Sequence, residues 1–147
     1  MDKLSFKWEK VKYEIDDKST RTWQILINGT SLIDMVKKAE LPMATANNEA
    51  SIAGSYAPLT LEDLYDEINV DMDGKNKKIT LLGCPCGIVD CWPLQAHLEE
   101  NENSIIWYAF SNPHRKWDYS NFGPFIFDKT EYEDILNELK RNIKYFS

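Results

Sequence analysis

The chain has 147 residues with 17 Lys and Arg against 24 Asp and Glu, a net charge of −7, and is 43% hydrophobic, 12% aromatic and 28% charged. That length suits one compact domain, residues 1–147, able to bury about 70% of the surface its unfolded chain exposes, and the composition excludes a disordered or collagen-like chain. No apolar run approaches the roughly 18 residues of a membrane span and no signal-peptide core follows Met1, so the expectation is a soluble cytoplasmic protein with no membrane contact. Its acidic field also argues against nucleic acid as a ligand.

Phe6 and Trp8 share one parity while Val11, Tyr13 and Ile15 share the other, which predicts a strand bulged or broken near Glu9-Lys10. Trp23, Ile25 and Ile27 alternate in a second strand closed by the turn pair Asn28-Gly29, and the two pair as an antiparallel ribbon. Ser31, with Asp34 three residues on, caps a short helix bearing Leu32, Met35, Val36 and Ala39, which Pro42 stops. Small and polar residues from Leu41 to Pro58 predict a long loop, in which Tyr56 or Met43 could supply apolar anchors for a protein partner. Thr60 and Asp63 cap a second helix whose apolar set is Leu61, Leu64, Tyr65 and Ile68. Asp71-Met72-Asp73-Gly74 reads as a turn, since the spaced ligands and closing Glu of a calcium loop are missing.

Ile79-Thr80-Leu81-Leu82 is a buried strand running into Gly83-Cys84-Pro85-Cys86-Gly87, where glycine and proline forbid regular structure. Pro93 opens a short helix through Leu94, His97 and Leu98. Ser104 to Phe110 forms a strand that Asn112-Pro113 ends, and Phe125-Ile126-Phe127 forms another. Thr130 with Glu133 makes a capping box for the last helix, which carries Tyr132, Ile135, Leu136, Leu139, Ile143 and Phe146 on one face. The sum is an α+β fold, a mostly antiparallel sheet of about five strands packed with three or four helices.

Charge is concentrated in the middle third. Residues 1–38 carry +2, residues 75–147 carry −1, and residues 39–74 carry −8 with no Lys or Arg at all. The second helix presents Glu62, Asp63, Asp66 and Glu67, followed by Asp71 and Asp73, an acidic surface suited to a basic protein partner. The alternative is a solvated helix face with no partner.

The three cysteines fall within eight positions, as Cys84, Cys86 and Cys91, and His97 follows. Together they count to the four N and S ligands of a tetrahedral zinc site, although the single-residue gap at Pro85 is shorter than the two to four residues usual in structural zinc loops. Two further readings stand beside zinc: small apolar side chains packed under Trp92, and a thiol pair of Cys84 and Cys86. A Cys/His pair can also be drawn between Cys86 or Cys91 and His114, with Asn112 or Asp118 orienting the imidazole. No phosphate-binding glycine loop, nucleophile elbow or zinc-protease motif appears, so nothing here marks an enzyme.

Gly83-Cys84-Pro85-Cys86-Gly87, Cys91-Trp92-Pro93-Leu94, Pro113-His114-Arg115, Trp117 and Tyr119, and Phe125-Ile126-Phe127-Asp128 before Tyr132 together give the chain its most distinctive signature. Over about its last 70 residues it resembles a family of small uncharacterised bacterial proteins. The resemblance implies a bacterial cytosolic protein and brings no mechanism. Two functions follow as expectations: a binding protein, most concretely an immunity protein that neutralises a basic toxin nuclease through the acidic middle, or a metal-binding or thiol-based site on the loop 84–91.

Overall fold

The computed structural model describes residues 1–12, 19–70, 76–86 and 92–146. β1 (Leu4–Lys12) and β2 (Ser19–Ile27) pair antiparallel in one-to-one register from Leu4 opposite Ile27 to Lys12 opposite Ser19. The expected bulge near Glu9-Lys10 is therefore absent from the described backbone; Tyr13 and Ile15 lie outside the described residues. Asn28 and Gly29 both take positive φ, 55° and 83°, and join β2 to β3 (Thr30–Ser31) through a two-residue turn whose twist matches its strands.

α1 (Leu32–Ala46) begins where the Ser31 hydroxyl accepts the Asp34 N–H, and it continues through Pro42 rather than ending there. Proline removes one amide and crowds the carbonyl four residues back, on Lys38, which lies on the exposed face. Beyond it, buried Ala44 still packs inward, and the helix covers the first residues of the expected loop, from Leu41 to Ala46. A 3-10 turn (Ala50–Ile52) and β4 (Ala57–Pro58) lie in the remainder.

α2 (Leu61–Ile68) is capped by the Thr60 hydroxyl, which accepts the Asp63 N–H, and buries Leu61, Leu64 and Ile68 in the core. β5 (Asn76–Gly83), β6 (Leu94–Glu100), β7 (Ser104–Ser111) and β8 (Phe125–Asp128) follow, with β4 on the outer edge of β5, giving a five-stranded antiparallel sheet in order β4-β5-β6-β7-β8. The segment after Pro93 is thus a strand, not a helix: Leu94, Ala96 and Leu98 are buried at period two, while His97 faces solvent. α3 (Lys129–Phe146) is capped by Asp128, whose carboxylate accepts the Glu131 N–H at 3.0 Å, so the cap sits two residues ahead of the expected Thr130.

Among the described residues the fold is α+β, with two antiparallel sheets, of three and five strands, and three α-helices. Asp2 joins the sheets: its N–H donates to the Ile126 carbonyl, while its carboxylate accepts the Ile126 N–H and the Asn28 side-chain amide. One apolar cluster runs from Trp23, Ile25 and Ile27 of the small sheet through α1 and α2 to Trp107, Phe127 and Tyr132. Inside it the Trp107 indole N–H donates to the Tyr132 hydroxyl, which donates to the Ile68 carbonyl at 2.7 Å, tying β7, α3 and α2 together. No described helix is long and apolar enough to cross a membrane.

Candidate functional site

Antiparallel connectivity decides which loops share an end of the large sheet. β5 arrives with Gly83 opposite Ala57 of β4, β6 departs with Leu94 opposite Leu82, β7 arrives with Ser111 opposite Gln95, and β8 departs near Phe125. Cys84-Pro85-Cys86, Trp92 and the long segment 112–124 therefore hang from one end, uniting two constellations far apart in sequence. The register slips on both neighbouring ladders at this end, between Thr80 and Leu82 and between Gln95 and His97. On β7 two residues, Ala109 and Phe110, stand opposite one on β6, Ala96, and Ala109 takes a φ of 52°. The bulge flips parity: Ile105 and Trp107 point inward, Ala109 is exposed, and Phe110 and Asn112 turn into the core.

Trp92 is the centre of the surface layer. His114 lies parallel to its indole at 8°, ring centroids 6.1 Å apart, and the Arg115 guanidinium sits 4.9 Å from the Trp92 ring. Trp117 meets Trp92 edge-on. Arg115 is itself held by Glu49, Nε to Oε2 at 3.1 Å, and donates to the His114 carbonyl. Asp118 donates its N–H to the Met43 sulfur and accepts from Ser120, whose hydrogen bonds hold its carboxyl below the usual aspartate range. Met43 thus lies on α1 against the segment 118–122, not in a loop.

Beneath this layer is a buried carboxylate that sequence reading missed. Glu40 is 0% exposed; its Oε1 accepts the Gly54 N–H at 2.8 Å, and its Oε2 accepts the hydroxyls of Tyr56 at 2.6 Å and Tyr119 at 2.5 Å. The buried Asn112 amide donates to the Tyr56 oxygen at 3.1 Å, while its carbonyl accepts the His114 N–H. Burial first, and then the hydrogen bond to Glu40, push both tyrosines well above the ordinary phenol range. Gly54 has a φ of 69° and its missing Cβ would lie 2.4 Å from the Lys37 Cβ, so the close approach to α1 requires glycine. The available signal was spacing: Leu32, Val36, Glu40 and Ala44 recur every four residues, placing an acid on the buried stripe. Tyr56, expected as an apolar anchor for a partner, instead donates its hydroxyl to this network and is 6% exposed.

Cys84 and Cys86 are both half-buried thiols in a turn, and the Cys86 N–H donates to the Cys84 sulfur at 3.4 Å. Cys91 lies outside the described residues. His97 does not come to this end. It faces Lys78, six positions before Cys84, which is about 20 Å along the strand at about 3.3 Å per residue, and its ring rests near Tyr108. Among the described residues no three His, Cys, Asp or Glu side chains group as a metal site. His114 shares the sheet end with the cysteines, and its neighbour Asn112 is the residue that engages its backbone; Asp118 turns instead to Ser120.

The acidic face is divided. Glu62, Asp63 and Asp66 are exposed on α2, whereas Glu67 is half-buried and accepts the Thr80 N–H of β5. Lys77 reaches the Asp66 carbonyl, and burial lowers its pKa against the raising pull of Glu67 and Asp66. Asp71 and Asp73 lie outside the described residues. In comparisons with protein-family models, curated proteins and solved structures, nothing matches this chain.

Proposed function

We propose that this is a small acidic bacterial cytoplasmic binding protein whose middle region engages a basic partner, most concretely an immunity protein that fills the cationic cleft of a toxin nuclease. One observation carries the reading: Glu62, Asp63 and Asp66 project from a short helix whose other face is anchored by buried Leu61, Leu64 and Ile68, in a segment with no Lys or Arg between residues 39 and 74. A nuclease cleft is cationic because it binds phosphate, so a rigid acidic face speeds encounter and competes with the nucleic acid. The test is titration of the purified chain into basic bacterial nuclease toxins, beginning with any encoded beside its own gene. Stoichiometric inhibition at low salt that is lost in the triple variant Glu62→Lys, Asp63→Lys, Asp66→Lys, with unchanged thermal stability, supports the reading. Unaltered inhibition by that variant removes this face from it.

A second reading, a metal-binding or thiol-based site on the loop 84–91, is favoured by the convergence of Cys84, Cys86, Trp92 and His114 at one sheet end. Zinc held by Cys84, Cys86 and Cys91 and a thiol pair are its two forms. Native mass spectrometry of protein purified without chelator separates them, since only the first adds the mass of a metal ion.

A further inference from the structure

We infer that Cys84 and Cys86 are a dithiol–disulfide couple that exchanges with small-molecule disulfides of the glutathione class. The inference deepens the thiol form of the second reading and is independent of the acidic face. Two thiols are all the chemistry needs, and here they are separated by one residue whose ring fixes φ, in a turn, so little chain entropy opposes their meeting. The turn is mounted on rigid backbone: Leu82 and Gly83 are paired to Pro58 and Ala57 on one side, and Leu82 to Leu94 on the other. Both sulfurs belong to half-buried residues, open enough for a small disulfide to approach. The Cys86 N–H points at the Cys84 sulfur, a bond that strengthens as the acceptor gains negative charge and so favours the thiolate at Cys84.

The roles follow from that hydrogen bond. The Cys84 thiolate attacks one sulfur of an external disulfide R–S–S–R, forming a Cys84–S–S–R bond and expelling one thiolate, which takes a proton from water. Cys86 then loses its proton to water and attacks the Cys84 sulfur, forming the Cys84–Cys86 bond and expelling the second thiolate. Two protein thiols are oxidised and one small disulfide is reduced to two small thiols, so electrons and protons balance. Cys84 takes the mixed disulfide and Cys86 resolves it.

The experiment equilibrates the full chain in glutathione buffers of graded oxidised-to-reduced ratio, quenches with an alkylating agent and maps the linkages by mass spectrometry. The expected result is loss of two alkylatable thiols together at one midpoint, a Cys84–Cys86 linkage, and an unchanged midpoint in Cys91→Ser. Cys86→Ser should trap glutathione on Cys84, and Cys84→Ser should accumulate at least tenfold less adduct at equal time. The wild-type linkage map needs no variant to fold. A linkage to Cys91, or a bound metal that blocks alkylation until it is chelated, overturns the couple while leaving a cysteine site in place. Thiols that neither oxidise nor bind metal overturn both the couple and the second reading.

Discussion

Glu40 is fully buried and accepts three hydrogen bonds through its two carboxyl oxygens. Three donors from two segments, Gly54 and Tyr56 on one and Tyr119 on the other, converge on one buried carboxyl group, and removing it strands each of them. Glu40→Ala should therefore destabilise the protein by about 3–5 kcal/mol in denaturant unfolding, because the Gly54 amide and both tyrosine hydroxyls lose their acceptor inside a cavity. Tyr119→Phe removes one donor and should cost about 1–2 kcal/mol. Equal and small losses in the two variants would mean that water reaches the pocket. A second residue works in the opposite direction. Ala109 holds a left-handed φ of 52° at an exposed bulge, a conformation that costs a residue with a Cβ about 1 kcal/mol. Ala109→Gly should raise stability by about 0.5–1 kcal/mol, measured in the same unfolding experiment, and a decrease would show that the β7 bulge carries no strain at this position.

At the scale of elements, the capped helices and the tight turn were legible because their signals are local. Ser31 with Asp34, Thr60 with Asp63, and Asn28-Gly29 each need only neighbours within three residues, and each forms as read. β6 was misread because Leu94, His97 and Leu98 also fit helical spacing; the deciding set was Leu94, Ala96 and Leu98, which the sheet buries and a small alanine does not advertise. Pro42 misled for a different reason: tertiary burial of Glu40 and Ala44 keeps α1 going where propensity alone would end it. The same contrast divides α2. Glu67 links the helix to β5, so Glu67→Ala should lower stability by about 1–2 kcal/mol, whereas Glu62→Ala on the exposed face should change it by no more than about 0.5 kcal/mol. Equal effects from the two in thermal melts would place Glu67 in the acidic surface after all, beside Glu62, Asp63 and Asp66.

Across the whole molecule, the sequence contained the residues of the sheet-end cluster but not their meeting. Cys84, Trp92, His114 and Arg115 were each singled out, yet only the alternating directions of β5 to β8 bring them together, and the bulge at Ala109 that turns Asn112 inward has no local signature. The buried tyrosines are the global readout of this assembly. Tyr56 and Tyr119 bind Glu40 under the site, Tyr132 bridges α2, α3 and β7, and burial raises the pKa of all three above the ordinary value of about 10. A raised folded pKa means that the unfolded chain surrenders these protons first as pH climbs. The stability they contribute is therefore complete below about pH 10 and is lost progressively above it, at up to about 1.4 kcal/mol per pH unit for each group. The protein should accordingly unfold cooperatively in base, with the tyrosinate absorbance of these three residues rising together with loss of the far-ultraviolet dichroism. Tyr119→Phe should flatten the alkaline slope by about one third. Tyrosinate from all seven tyrosines appearing while the dichroism stays native would mean that the Glu40 network opens to water without unfolding the chain.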